Sequence, residues 1–396
     1  MKEFVEGSHA IAEIIKACQP GVISAYPITP QTHIVEDLAQ MVSNGELKAQ
    51  VVNVESEHSA ASVVLGGSAT GVRVYTATSS QGLFYMQEVV FNIAGMRLPV
   101  VMTCANRAIS APINIWNDQQ DSISLRDAGW IQIYAEDNQE AVDFHLIAYR
   151  LAEDKRVMLP VMVCMDGFIL THGMETVDVP EQEKVDKFLP KYNPLYKLDT
   201  AAPISMGLLA DPDYYMEARF AIQETMKESL GYLSEVSSEF KSVFGRDYKD
   251  LLVEEYQTKD AEKVIVAMGS VCGTIKEVID EQRAKGKKIG LLRIISFRPF
   301  PYARVYEALK DVSRIAVLDK SVSLGAYAPI AVEIKAAFYG KKKGPKVISS
   351  FVGGLGGRDI TLESVYEVLR RLTAKEVNSD FIDLKPELLK EEYDGK

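Results

Sequence analysis

Cysteine is scarce and scattered. Four residues in 396 (Cys18, Cys104, Cys164 and Cys272) include no Cys-x-x-Cys. That spacing argues against a zinc ribbon or an iron–sulfur cluster held by this chain alone. Three of the four lie in apolar runs or faces, where a thiol behaves as a small buried hydrophobe. Basic residues are also outnumbered: 44 Lys and Arg against 55 Asp and Glu leave a net charge of −11, which argues against a nucleic-acid-binding surface. No apolar run reaches the ~18 residues that a membrane-spanning helix needs. Phosphate loops are missing too: there is no Walker A sequence and no Gly-x-Gly-x-x-Gly. Nor is there a Gly-Asp-Gly followed by asparagine at metal-binding spacing. Met165-Asp166-Gly167 comes nearest and lacks the first glycine, so no diphosphate–metal grip is visible. Gly353-Gly354-Leu355-Gly356-Gly357 has no lysine and is expected to be a tight turn. The chain has no internal repeat and no low-complexity tract.

What is present reads as an ordinary globular protein, 47% apolar and 25% charged, long enough for two or three domains. At the N-terminus, Ser8 is expected to cap a helix whose Ile11, Ile14, Ile15 and Cys18 share one face. That start is unlike a secretory leader, and a cytoplasmic location is expected. Over residues 1–175, apolar runs at 22–25, 51–54, 74–78, 100–104, 131–135 and 161–165 alternate with helical stretches at 60–71, 83–96 and 139–153. This is the α/β pattern of a parallel sheet. A proline-spaced crossing segment at about 176–212 and a charged helical stretch at 213–244 extend this first domain to residue 250. A second α/β unit covers 260–375, with strands at 264–268, 289–295, 315–318 and 347–352. Its helix 274–285 is ended by Gly286. Residues 376–396, polar and acidic, form a tail or an arm that packs on a partner.

Chemistry concentrates at the ends of the first strands. In Tyr26-Pro27-Ile28-Thr29-Pro30-Gln31-Thr32, each proline fixes its own φ and holds the preceding residue extended, so Tyr26 and Thr29 are presented rigidly. Glu55-Ser56-Glu57-His58 follows the next strand. A carboxylate at the C-terminal edge of a parallel sheet lies where such folds bind ligands, although Glu57 also suits the start of a helix as a dipole partner. Strand alternation would point Glu55 to the same side as Glu57. Thr76-Ala77-Thr78-Ser79-Ser80-Gln81-Gly82 is a hydroxyl-rich strand-to-helix turn, fit for a polar ligand or for simple capping by Ser79 or Ser80. Arg107, after the strand at 100–104, can clamp a carboxylate or form a surface ion pair. Residues 116–121 (Trp-Asn-Asp-Gln-Gln-Asp) can line a cleft or form an Asx-bonded turn.

Taken as a series, these segments resemble the α subunits of pyruvate:ferredoxin oxidoreductases, within the 2-oxoacid:ferredoxin oxidoreductase family. The resemblance runs from about residue 7 to 370. It rests on 26–30, 55–57, 77–82, Asn106-Arg107-Ala108, Arg126-Asp127-Ala128-Gly129-Trp130, Asp166-Gly167-Phe168, Phe297-Arg298-Pro299-Phe300-Pro301 and 353–358, all in family order and spacing. It implies that 1–250 is a doubly wound, pyrimidine-type thiamine-diphosphate domain and 260–375 a smaller transketolase C-terminal-like domain. It further implies that Glu57 hydrogen-bonds the cofactor's aminopyrimidine as the catalytic acid. Tyr26, Pro27, Ile28, Ser79, Ser80 and Gln81 would line the cofactor, and Thr29 and Arg107 would hold the pyruvate carboxylate. The cofactor would be shared with a β subunit that grips its diphosphate and Mg²⁺. [4Fe-4S] clusters would sit on partner chains, including γ and δ subunits, in a dimer of heteromers. Coenzyme A would take the acyl group and ferredoxin the electrons, in either direction of the reaction. Another 2-oxoacid as substrate, or a non-catalytic docking role, are the competing readings. The loop 110–118 carries no extra basic residue for a second carboxylate, which counts against 2-oxoglutarate.

Overall fold

Short runs of β-branched and other apolar residues, with helices between them, can bury both faces only as parallel strands covered on each side. The computed structural model describes residues 2–389 and has this architecture. Its strands in chain order are β1 (Lys2–Glu6), β2 (Val22–Ile23), β3 (Gln50–Val51), β4 (Val74–Thr78), β5 (Val101–Asn106), β6 (Ile131–Tyr134), β7 (Val161–Asp166) and β8 (Met174–Asp178). They continue with β9 (Val253–Tyr256), β10 (Lys263–Ala267), β11 (Ile289–Ile294), β12 (Ser296–Arg298), β13 (Arg314–Asp319), β14 (Val347–Val352) and β15 (Asp380–Phe381). The first sheet has the order β12-β6-β7-β5-β4-β2-β3 and the second β15-β14-β13-β10-β11-β9, while β1 and β8 form an antiparallel ribbon. Only the β6–β12 pair in the first sheet and the β9–β11 pair in the second are antiparallel.

Each sheet has a point where the chain turns back past its first parallel strand. In the first, the chain passes from β2 outward to β3 and then returns to β4 on the other side. In the second, it passes from β10 to β11 and returns to β13. The strand ends at such a reversal diverge, and ligands of open α/β sheets bind in the crevice between them. β2, β3 and β4 therefore carry the Tyr26, Glu57 and Ser79 segments to one such point, and β10 and β13 carry Gly269-Ser270 and Lys320 to the other.

The two units share a core. Trp130, Tyr134 and Met162 of the first lie in one buried cluster with Phe297, Phe300 and Ile330 of the second, and the Tyr134 and Phe297 rings meet edge-on at 6.2 Å. Phe297 belongs to β12, so the Phe-Arg-Pro segment leaves its own unit to close the edge of the first sheet. Arg293 of β11 reaches across to Glu140 with two hydrogen bonds of 2.6 and 2.7 Å, both side chains being buried. The charged stretch becomes one helix, Pro212–Phe244, ended by Gly245 in the left-handed region (φ 81°). Its Phe240 stacks near Phe188 and Phe244.

Several local expectations differ from the structure. Ser8 does not cap the first helix. Glu6 occupies the cap position of Gly7–Cys18, and the Ser8 hydroxyl donates to the Thr171 carbonyl at 2.8 Å. The β1–β8 ribbon pulls the chain against residues 171–173 before the helix begins, which moves the cap upstream. The stretch 83–96 is two helices, Ser80–Tyr85 and Gln87–Gly95, broken at Met86. The strand expected at 51–54 pairs only over Gln50–Val51, because Ser56 caps a helix that begins at Glu57. Glu55 is exposed and accepts from the Ser59 hydroxyl, so it does not share a strand face with the buried Glu57. Downstream, Asp380–Phe381 adds to the second sheet beside β14. The last part of the expected 376–396 arm, residues 390–396, lies outside the described residues.

Candidate active site at the first switch point

Parallel register puts the C-terminal ends of β5, β4, β2 and β3 side by side. Glu57 opens the helix Glu57–Ala69 and is 7% exposed. Its side chain lies against Gly82, at the start of the helix that follows β4. A Cβ built on Gly82 would fall 2.7 Å from Glu57 Oε1 and 2.6 Å from Thr78 Oγ1. Glycine is thus required there for close approach. In the turn that Glu57 packs on, Thr78 Oγ1, Ser79 Oγ and Gln81 Nε2 are buried with no protein partner. Ser79 holds the cap position of Ser80–Tyr85, yet its hydroxyl makes no capping bond. Buried polar atoms normally find partners; this short turn holds two hydroxyls and an amide donor that have none.

The second half of the site is organised by Asp121. Its carboxylate accepts from Ser80 N (3.0 Å), Arg107 N (2.9 Å), Ser122 N (2.7 Å) and Asn106 Nδ2 (2.8 Å). Complete burial pushes its carboxyl up to about 6 against these four donors. One buried acid therefore ties the β4 turn to the β5 turn. Ser80, held in the left-handed region (φ 50°), is a strained position of the kind that persists only where surrounding structure over-determines it. Its hydroxyl sits between the Ala108 carbonyl and the Gln81 amide oxygen, 2.6 Å from the latter.

Arg107 is buried, and that burial draws its guanidinium below its ordinary value. Nη1 donates to the Thr29 carbonyl and Nε to the Asn114 carbonyl, both at 2.9 Å. Nη2 makes no protein hydrogen bond among the described residues and is free to meet an anion. Thr29 itself is exposed, as are Tyr26 and Pro27, with Ile28 half-buried. The Tyr26 carbonyl is held by Gln31 Nε2 at 2.7 Å. The structure thus joins Thr29 to Arg107, Arg107 to Ser80 through Asp121, and Glu57 to the Thr78–Gly82 turn. His58 stands apart at the surface, 3.9 Å from Glu88.

Residues 116–121 are a seam rather than an open loop lining. Asn117, Asp118, Gln119 and Asp121 are buried, while Trp116 is exposed. Asp166, at the end of β7, accepts from Asn117 Nδ2, Gln119 Nε2, Ser270 N and Lys320 Nζ at 3.0–3.2 Å. Burial alone would raise its carboxyl, but the Lys320 charge and these donors outweigh it and hold Asp166 below its ordinary value. Gly356 N donates to Asp118 and Gly357 N to the Asn117 carbonyl. The glycine turn of the second unit, with Gly354, Gly356 and Gly357 all at positive φ, thereby seats against the site loops of the first. Lys320 and the hub role of Asp121 were invisible to sequence reasoning, since no local pattern marks either. All four cysteines are buried free thiols.

The residues fit a flat heteroaromatic ring with donors and acceptors on its edge. Glu57 supplies an acceptor where it packs on Gly82, and the unpartnered hydroxyls and amide of residues 78–81 supply further polar atoms.

Comparisons with known proteins identify the family. Residues 13–237 match the family described as pyruvate flavodoxin/ferredoxin oxidoreductase, thiamine diphosphate-binding, and residues 261–365 match the pyruvate:ferredoxin oxidoreductase core domain II. The pyruvate synthase subunit PorA of Methanothermobacter thermautotrophicus is 51% identical over 97% of this chain and 98% of its own length. In fold, the chain resembles the 2-oxoglutarate:ferredoxin oxidoreductase of Magnetococcus marinus, with a TM-score of 0.71 at 18% identity over 94% of this chain. It spans 65% of that longer protein. It also resembles a split-gene transketolase, with a TM-score of 0.54 at 11% identity over 93% of this chain and 98% of the other. Both units are accordingly α/β in fold, the first matched by the thiamine-diphosphate-binding family and the second by core domain II.

Proposed function

The chain belongs to the pyruvate flavodoxin/ferredoxin oxidoreductase family, and on that premise we propose that it is the α subunit of a complex acting on pyruvate, with Glu57 as its catalytic acid. The observation that carries this reading is Glu57. It is a nearly buried carboxylate pressed against Gly82, beside the unpartnered Thr78 hydroxyl, at the switch point of the first sheet. In this reading residues 1–250 bind the pyrimidine half of thiamine diphosphate, and 260–375 stand as the second domain.

When bound, thiamine diphosphate supplies the carbon nucleophile and electron sink that decarboxylation of a 2-oxoacid needs. The chain's own residues do the rest. The Glu57 carboxylate hydrogen-bonds the ring nitrogen N1′ and holds a proton there in a water-poor setting, where such a bond is stronger than in bulk water. The hydroxyls of Thr78 and Ser79 and the Gln81 amide orient the ring edge, with Tyr26, Pro27, Ile28 and Ser80 completing the wall. Arg107 Nη2 and the Thr29 hydroxyl hold the substrate carboxylate, a charge-assisted contact that fixes the reacting carbon. Arg107 spends two donors on backbone carbonyls, so its position is preset before substrate arrives. The segment 110–118 brings no further cation, which suits a small substrate with one negative charge.

Partner chains complete the enzyme in this proposal. A β subunit holds the diphosphate and Mg²⁺, γ and δ subunits join a dimer of heteromers, and [4Fe-4S] clusters on those chains carry electrons to ferredoxin. Coenzyme A accepts the acyl group, and the complex works in the cytoplasm, as an oxidase or in reverse as a synthase. Among the described residues no helix is long and apolar enough to cross a membrane.

The test is Glu57→Gln in the anaerobically purified complex, followed by viologen reduction with pyruvate and coenzyme A. Positioned proton transfer is worth about 10²–10⁴-fold, and turnover is expected to fall by that factor while the complex stays assembled. Turnover within a factor of two of wild type would discard Glu57 as the acid and favour a docking role for the chain.

A further inference from the structure

Away from Glu57, three ligand-type side chains from distant parts of the sequence meet at one surface point. They are Glu6 at the end of β1, His33 in the first turn of the helix Thr32–Ser43, and His172 two residues before β8. One ligand atom from each lies within 4.8 Å of the other two. Glu6 Oε1 is 2.7 Å from His33 Nδ1, and the two imidazole rings are 4.9 Å apart.

The backbone fixes this meeting. Ser8 N donates to the Thr171 carbonyl and Gly7 N to the Gly173 carbonyl, at 2.9 and 3.1 Å. A Cβ on Gly7 would fall 2.1 Å from the Leu170 carbonyl oxygen, so only glycine lets Glu6 come this close to His172. The Thr171 hydroxyl, 2.8 Å from His172 Nδ1, orients that ring from behind, as an outer partner of a ligating histidine does. Phe168 packs on its face at 4.7 Å. His33 follows Pro30 by three residues, so this point is anchored to the Thr29 loop.

We propose that Glu6, His33 and His172 form a binding site for a divalent transition cation of the zinc type, which clamps the Thr29 loop to the β1–β8 ribbon. Two imidazoles and one carboxylate suit such ions, and three protein ligands leave a fourth position for water. Ligand atoms around a tetrahedral zinc stand about 3.3 Å apart, given bonds of about 2.0 Å. Closing the observed spread to that distance falls to the side chains of the exposed His33 and half-exposed Glu6. The electrostatics agree: Glu36 and Asp37 of the same helix add negative charge beside His33. His33 is held above its ordinary value, first by the Glu6 hydrogen bond and then by those acids. Burial and the neighbouring His33 hold His172 below its ordinary value against the Glu6 charge. This clamp is independent of the role given to Glu57.

The test is zinc counting on the intact complex. Wild type and His33→Ala/His172→Ala are stripped with chelator, equilibrated with Zn²⁺ at pH 7.5, desalted and measured by mass spectrometry, with Glu6→Gln as a milder variant. Wild type is expected to hold one more zinc per chain than the double variant. Zinc-edge X-ray absorption is expected to show two imidazoles. His33 is exposed, so His33→Ala alone keeps the fold and is expected to weaken binding at least tenfold. Equal zinc in wild type and double variant, or an absorption signature without imidazole, would overturn the site.

Discussion

Gly82→Ala adds one methyl group against the proposed acid and nothing else. The new Cβ would stand 2.7 Å from Glu57 Oε1, a shortfall of 0.7 Å on the 3.4 Å at which ordinary contact begins. Thr78 Oγ1, at 2.6 Å, is squeezed from the other side. Gly82 lies within the helix Ser80–Tyr85, where alanine is favoured over glycine by about 1 kcal/mol. That gain offsets much of an overpacking cost of about 1–3 kcal/mol, and the melting temperature is expected to move by only a few degrees. Catalysis is less forgiving. A misplacement of about 1 Å can cost about 10²-fold, so a shift of roughly two-thirds of that predicts a kcat loss of about 10–50-fold. KM for pyruvate is expected to change less than about threefold, because Arg107 and Thr29 belong to the other half of the site. The assay is anaerobic viologen reduction by the complex with pyruvate and coenzyme A. Coupled residues lose additivity, so Gly82→Ala/Glu57→Gln should be no slower than Glu57→Gln alone. An unchanged kcat in Gly82→Ala, or losses that multiply in the double variant, would refute the placement of Glu57 at the reacting centre.

Lys320→Met removes the cation paired with Asp166 in a site where both side chains are at most 5% exposed. An orphaned buried carboxylate costs about 3–5 kcal/mol, so thermal unfolding should move down by several degrees and Asp166→Asn in the same chain should restore most of it; a loss below about 1 kcal/mol would show that the pair does not hold the units together. Asp319 tests linkage with the opposite sign from an ion-paired acid. Burial pushes its carboxyl from 3.8 up to about 7, against bonds from Ile330 N and Ala331 N. The folded chain then binds that proton more tightly, so this contribution is full below pH 4 and is lost as pH rises towards 7. Asp319→Asn cannot titrate and should gain on wild type by about 3 kcal/mol between pH 4.5 and 7.5, at about 1.4 kcal/mol per unit. Parallel stability curves for the two proteins would reject this.

The chemistry-bearing segments at the ends of β2 to β5 could be read from sequence because their signals are local. Paired prolines fix a loop wherever it sits, a short apolar run between helices is a parallel strand, and Gly286 ends its helix at φ 77° for reasons internal to a few residues. Glu57 stood out for the same reason, as an acid at a strand end followed by small residues. Its neighbour Glu55 was misjudged because the cap at Ser56 ended the strand early, a competition that alternation alone does not resolve. What remained hidden depends on partners far along the chain. Asp121 bonds to Ser80 41 residues away, Asp166 to Lys320 154 residues away, and β12 crosses into the other sheet. Glu6, His33 and His172 are likewise ordinary surface residues until a two-stranded ribbon and a glycine bring them together. Sequence by itself determined which segments are strands, helices and rigid turns, since those choices balance local conformational entropy against burial pattern. Only the tertiary structure decided which segments meet, because strand order and inter-sheet packing are settled by long-range burial that no window of sequence contains.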